Sequence, residues 1–331
     1  MEYRILGKTN LKISAIGFGA WAIGGNMWGP QDDNDSIMAL HKALDLGVNF
    51  IDTAAAYGNG HSEKIIGKVL KDRKDKNEKI YIATKIPPLM WPPSPTSHAK
   101  DAFPQETIIS YVEQSLKNLQ IDCIDLIQLH SWRENWTNDT EWYETLVNLK
   151  KEGKVNFIGV SVHDNMEDEA LGLIETGRID TIQVVYNALS QTPRKNLFPK
   201  AIKYNIGIIA RVPLAYGALS GKFTKDTTFP DNDFRKGKYT GEGLNNILKK
   251  VEEFKNIVST NEREKLVSAA LHFVLSHNAV STTIPGIRNT KQAEENCSIF
   301  DKGLDKGFDK EKLVSKEIIE KLNDLIIQKM H

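Results

Sequence analysis

The chain predicts an α/β fold, a closed (β/α)8 barrel of the TIM type, with parallel strands inside and helices outside. Three observations predict it. From residue 15 onward, short apolar runs alternate eight times with amphipathic helical stretches. The runs are apolar almost throughout, as suits parallel strands buried on both faces. Several of them end on an ionisable side chain just before a polar or Gly/Pro-rich loop: Asp52, Lys85 and His130. In such barrels, catalytic groups gather at the carboxyl ends of the strands.

The elements follow in order. Arg4-Ile5-Leu6 and Leu11-Lys12-Ile13 flank Gly7-Lys8-Thr9-Asn10. This reads as an N-terminal β-hairpin placed to plug the barrel floor. Strands are expected at 15–17, 49–52, 80–85, 125–130, 156–161, 181–186, 207–212 and 281–284. Apolar residues at i, i+3, i+4 and i+7 predict helices at 36–46, 62–70, 106–119, 141–151, 167–176, 197–204, 262–276 and 290–299.

Two connections at the expected catalytic face are long. The segment 87–104 holds six prolines with Trp91 and Phe103, and 222–243 is rich in Gly, Asp and Lys. Loops of that length are usually lids or specificity loops. A helix is expected around 315–327. A barrel takes roughly 250 residues as one domain, so the expectation is a single domain over 1–331, with a core of about 15–300 and a helical tail at 301–331.

Lys+Arg and Asp+Glu both count 43, leaving no net field to attract nucleic acid or an acidic membrane surface. Hydrophobic residues make up 40% of the chain, enough for a sizeable core, and no apolar run approaches the ~20 residues of a membrane span. The charged opening Met1-Glu2-Tyr3-Arg4 does not read as a signal peptide, so a cytoplasmic location is expected. Cys123 and Cys297 stand far apart without CxxC or His-rich surroundings. Neither a disulfide frame nor a metal site is indicated.

Tyr57 follows Asp52 across a short alanine link and projects over the same face. A phenol with a pKa of about 10 is a poor acid at neutral pH, and an adjacent ammonium would favour its ionisation. Lys85 supplies that ammonium in this reading. Asp52 would hold the lysine by an ion pair, and His130 would orient a carbonyl oxygen. Tyr57 then becomes a general acid.

The chain resembles the aldo-keto reductase family from Leu6-Gly7 to about Asn296. The matching segments are Gly17-Phe18-Gly19-Ala20-Trp21, Asn49-Phe50-Ile51-Asp52-Thr53-Ala54-Ala55-Ala56-Tyr57-Gly58, Ala83-Thr84-Lys85, Leu129-His130, Lys154-Val155-Asn156-Phe157-Ile158-Gly159-Val160-Ser161, Gln183-Val184-Val185-Tyr186-Asn187 and Ile284-Pro285-Gly286-Ile287-Arg288. The resemblance implies that Asp52, Tyr57, Lys85 and His130 are the catalytic tetrad. It also implies a nicotinamide dinucleotide lying extended over the barrel mouth, with Gly19, Ala20, Trp21 and Asp52 among its neighbours.

By the same resemblance, Ser161 and Gln183 would hold the carboxamide. Arg211, Pro213, Leu214, Gly217, Leu219, Gly221 and Lys222 would belong to the strand end and loop around the pyrophosphate. Gly286 and Arg288, with Gln292 and Asn296 one helical turn apart, would meet the adenosine end. An arginine fork there argues for NADP(H) over NAD(H). Arg211 stands where many relatives carry an aromatic, and Val162 where asparagine is usual.

Trp21, Met90, Trp91 and Trp132 fall on loops at the same face, so Trp21, Trp91 and Trp132 are expected to wall the substrate pocket. The implied function is NADP(H)-dependent reduction of a small aldehyde or ketone. The rival reading is a cofactor-binding auxiliary or redox-sensing subunit with little turnover, as the potassium-channel auxiliary members of the family are. A metal-dependent barrel hydrolase would need clustered histidines and carboxylates at strand ends, where only His130 qualifies.

Overall fold

The computed structural model describes residues 1–25, 27–300 and 315–325. A two-stranded antiparallel hairpin, β1 (Tyr3–Ile5) and β2 (Lys12–Ser14), precedes eight parallel strands. These are β3 (Phe18–Gly19), β4 (Phe50–Asp52), β5 (Tyr81–Ile86), β6 (Ile124–Leu129), β7 (Val155–Ser161), β8 (Thr181–Val185), β9 (Gly207–Arg211) and β10 (Val280–Ile284). Each pairs with its sequence neighbour. The chain is a (β/α)8 barrel.

The closing seam corrects one expectation. Apolar patterning suggests a strand over 15–17; instead the first half of the run 15–19 pairs back to β10 and its second half forward to β4. Gly17 N donates to Thr283 O at 2.8 Å and Thr283 N to Ala15 O at 2.9 Å, while Phe18 and Gly19 stand opposite Ile51 and Asp52. Gly19 permits this, since a Cβ there would lie 2.6 Å from Ile284 O.

The hairpin closes the floor. Leu6 and Ile13 belong to one buried cluster with Phe50, Tyr81, Ala83, Leu126 and Ile209, inward side chains of the barrel, and with Ile284, which reaches up to line the cavity. Gly7, at φ +51°, lets the turn lie against β9, where a Cβ would meet Gly207 N at 2.2 Å. A second, larger core lies between the strands and the helices.

Helices run Asp33–Asp45, His61–Asp72, Gln105–Leu119, Glu141–Lys151, Leu171–Glu175, Leu197–Lys203, Arg263–Ser276 and Thr290–Cys297, close to the expected ranges. One long helix is absent from those expectations: Glu242–Val258, seventeen residues directly after the 222–243 loop. Its apolar stripe is broken by lysines and by Asn245 and Asn246, so it reads as surface, yet Leu244, Val251, Phe254 and Val258 are buried. The tail helix, Lys316–Asp324, starts on a Ser315 cap and buries Leu322. The expected end of that helix, 326–327, lies outside the described residues. No described helix is long and apolar enough to cross a membrane.

Candidate active site

Alternation along each strand builds the site. In β5 the inward positions are Tyr81, Ala83 and Lys85; in β4 they are Phe50 and Asp52; in β6, Leu126 and Gln128. Apolar groups therefore fill the floor, and a polar layer forms at the carboxyl ends. Lys85 stands in register with Gln128, and Ser161 with Gln183.

Asp52 and Lys85 are both buried and form an ion pair of 2.5 Å from Nζ to Oδ1. Lys85 Nζ also donates to Thr53 O at 2.7 Å and reaches Tyr57 Oη at 3.4 Å. The other oxygen of Asp52 accepts from Gln183 Nε2 at 2.7 Å and from Gln128 Nε2 at 3.3 Å. A buried carboxylate with three donors is fixed in place. Gln183 thus turns its amide nitrogen toward Asp52, while the residue still lines the cavity.

The 53–62 loop aims Tyr57. Thr53 Oγ1 and Ser62 Oγ share a hydrogen bond of 2.9 Å, and Ser62 Oγ donates to Ala20 O at 3.0 Å. The Tyr57 ring stacks near Trp21, with centroids 6.0 Å apart, and stands edge-on to His130 at 5.8 Å.

Burial pulls the Lys85 ammonium toward neutrality, but Asp52 and Tyr57 outweigh it and its pKa rises. Tyr57 departs from expectation: burial raises its pKa more than the Lys85 charge lowers it, so the phenol stays protonated. Burial, with the charges of Lys85 and Arg211, holds His130 well below the usual histidine range, a neutral imidazole.

These groups lie at one end of an elongated cavity of about 830 Å³. Asp52, Tyr57 and His130 line it, while Lys85 touches it only through them. Of the expected cofactor residues, Gly19, Ala20, Trp21, Ser161, Gln183, Arg211, Pro213, Leu214, Gly217, Lys222, Gly286, Arg288, Gln292 and Asn296 also line it.

Leu219 and Gly221 do not; Leu219 is buried in the core cluster instead. Trp21 and Trp91 are cavity walls, but Trp132 is not. It is fully buried edge-on against Trp136 and Trp142, between the barrel and the helix Glu141–Lys151. A tryptophan two residues beyond a strand end can turn either way, and here the apolar gap behind the strands claimed it.

Sequence reasoning missed Trp28, His163, Asp164, Tyr216, Arg235, Arg263 and Glu295, all of which line the cavity. Asp164 ties the rim together, accepting from Arg211 Nη2 at 2.8 Å and from Tyr216 Oη at 2.7 Å. His163 and Asp164 follow Ser161 by two and three residues, a signal that the sequence does carry. Arg235 lies on the 222–243 connection expected at this face, whereas Arg263 comes from a helix distant in sequence and carries no such signal.

The far end is cationic: Lys222, Arg235, Arg263 and Arg288 line it, against Glu295 as the lining carboxylate of that end. Arg235 is paired with Asp233 and Arg263 with Glu295. Burial and the nearby Arg263 charge lower the Lys222 pKa. Arg288 Nε donates to Gln31 Oε1 at 2.6 Å, and its Nη2 to Pro30 O. Several buried polar atoms of lining residues have no protein partner: Trp28 Nε1, Arg211 Nε, Arg263 Nε and Asn296 Nδ2. Unpaired donors beside surplus cations fit a long, phosphate-bearing ligand, since an unmet buried donor costs about 1–3 kcal/mol.

Residues 15–310 match the family model described as the aldo/keto reductase family. The aldo-keto reductase YhdN of Bacillus subtilis is 34% identical over 298 residues, covering 89% of this chain and 87% of its own. An L-galactose dehydrogenase of Arabidopsis thaliana is 27% identical over 325 residues, covering 96% of this chain and 94% of its own. Among solved structures, the glycerol dehydrogenase AKR11B4 from Gluconobacter oxydans superposes with a TM-score of 0.77 at 29% identity, covering 98% of this chain and 95% of that one. With its parallel barrel and its match over most of its length, the chain belongs to the aldo/keto reductase family, a family of oxidoreductases.

Proposed function

We propose that this protein is an NADP(H)-dependent carbonyl reductase of the cytoplasm, acting on a small aldehyde or ketone with Tyr57 as the general acid. One observation carries the reading: the Tyr57 hydroxyl lies 3.4 Å from an ammonium that Asp52 holds charged, beside a neutral imidazole, at the wall of the cavity. Gly19, Ser161, Gln183, Lys222, Arg288 and Asn296 are the residues to hold the dinucleotide. When bound, its reduced nicotinamide supplies hydride to the carbonyl carbon.

The chain's own part is the proton. Tyr57 keeps its proton at neutral pH because burial favours the phenol. As negative charge grows on the carbonyl oxygen, that oxygen becomes a stronger base than a phenolate and takes the proton from Oη. The phenolate left behind faces Lys85 Nζ, whose charge stabilises it and whose proton can follow. His130, neutral, hydrogen-bonds the same oxygen without competing for its proton. Asp52 keeps Lys85 charged.

For the cofactor, Arg288 with Lys222, Arg235 and Arg263 supports the phosphate-bearing dinucleotide. The test is a fluorescence titration with NADPH and NADH, beside a panel of aldehydes with each. Tighter NADPH binding is expected, and Arg288→Ala should erode the preference by about tenfold or more, the worth of a charged hydrogen bond. An unchanged ratio of dissociation constants would remove Arg288 from this role. Cofactor binding with no turnover of any aldehyde would favour the auxiliary-subunit reading.

A further inference from the structure

One cavity residue has a free hydrogen-bonding atom and no part in the proton chemistry. His163 lines the cavity on the same wall as His130. Two contacts set it there. Its Nε2 shares a 2.8 Å hydrogen bond with Oγ of Ser131, the residue that follows His130. Its ring also stands edge-on to Trp91 at 5.3 Å, and Trp91 stands edge-on to His130 at 4.9 Å. The two imidazoles therefore flank one indole at the substrate end of the cavity. Nδ1 of His163 makes no hydrogen bond among the described residues.

We infer that His163 determines specificity by hydrogen-bonding a hydroxyl on the carbon adjacent to the carbonyl, so that α-hydroxy aldehydes and ketones are favoured over plain ones. The inference rests on the reductase reading of this site. From a carbonyl oxygen at Tyr57 and His130, the wall continues past Trp91 to His163, and we set the carbon bonded to the carbonyl carbon on that side. The tautomer of His163 follows from which way the Ser131 hydroxyl points, and Nδ1 is then a donor or an acceptor. A hydroxyl satisfies either case because it both donates and accepts. A second carbonyl satisfies only the donor. Burial and the Arg211 charge keep His163 neutral, so the contact does not select an anionic group. Trp28 Nε1 and Arg211 Nε are further donors without a protein partner in this cavity, but the two contacts with Trp91 place His163 next to His130 on the wall.

The test compares kcat/KM for lactaldehyde and for propanal, which differ only in the α-hydroxyl, using the whole protein and NADPH. The parent should prefer lactaldehyde by about tenfold or more. His163→Phe keeps a ring on Trp91 and removes both nitrogens, so this ratio should fall close to one. His163→Asn, which restores a donor and an acceptor near Nδ1, should recover part of it. A residue that only packed the wall would lower both rates together and leave the ratio as it was, and that result overturns the inference. NADPH binding by each variant, read by fluorescence, shows that the site has folded. If the parent reduces propanal and shows no preference, this inference alone falls. If the parent turns over neither aldehyde, the reductase reading falls and takes the inference with it.

Discussion

Tyr57 and Lys85 are separable by experiment because one is a replaceable hydroxyl and the other half of a buried ion pair. Tyr57→Phe keeps the ring beside Trp21 and His130. It should fold and bind NADPH, and lose about 10²–10⁴ in the rate of reduction. Single-turnover reduction with bound cofactor decides it, since the parent rate in Tyr57→Phe would take the proton donor away from this position. Lys85→Met leaves Asp52 buried with only Gln128 and Gln183. It should be inactive and also less stable by about 3–5 kcal/mol, the cost of leaving a buried charge unpaired. Urea unfolding measures this; a full-strength fold would mean that Asp52 is protonated or solvated in the variant.

The 87–104 connection is expected to be a lid or specificity loop, and its anchoring favours a fixed wall. Arg133 Nη2 donates to Pro93 O at 2.9 Å, Trp136 Nε1 to Ser97 O at 2.6 Å, and Ala99 N to Asp139 Oδ2 at 2.7 Å. All three anchors come from the loop after β6. Trp91 stands half-exposed between His130 and His163 on that framework. Trp91→Ala should raise KM for aldehydes by about two- to tenfold, in line with the ~0.5–1.5 kcal/mol of an aromatic contact. The dissociation constant for NADPH should stay put, and a change confined to the cofactor would place Trp91 at the wrong end of the cavity.

Across the whole molecule, we propose that the chain unfolds as one domain, with fluorescence and circular dichroism changing together in denaturant. Its stability should depend on pH through buried histidines. His277, packed on Phe198 and Tyr186, is lowered by burial from 6.5 to about 4, and burial with the Lys85 and Arg211 charges also holds His130 well below 6.5. Below about pH 6.5 the unfolded chain takes up protons that the folded chain refuses. Their stabilisation is therefore complete above that pH and is lost progressively as pH falls toward 4. Urea midpoints across this range should fall with pH, and His277→Leu should flatten part of the slope. An unaltered slope would mean that other groups carry it.

The strand-helix order, the hairpin plug and the strand-end positions of Asp52, Lys85 and His130 are legible in the sequence alone. They depend on period and chain order, which a linear chain carries: inward and outward residues alternate, and the last inward residue of a strand lands at the rim. The family resemblance adds which of these residues to read together.

What the sequence does not carry depends on choices made in space. Trp132 turns into the gap behind the strands, and the helix Glu242–Val258 hides four buried side chains among charged ones. Arg263 joins Arg288 from a remote segment. The Gln183 amide goes to Asp52. The balance on Tyr57 is of the same kind: the sequence places a lysine where it can lower the phenol's pKa. Only the packed site shows that desolvation outweighs it, because burial is a property of everything that surrounds a group and not of its neighbours in the chain.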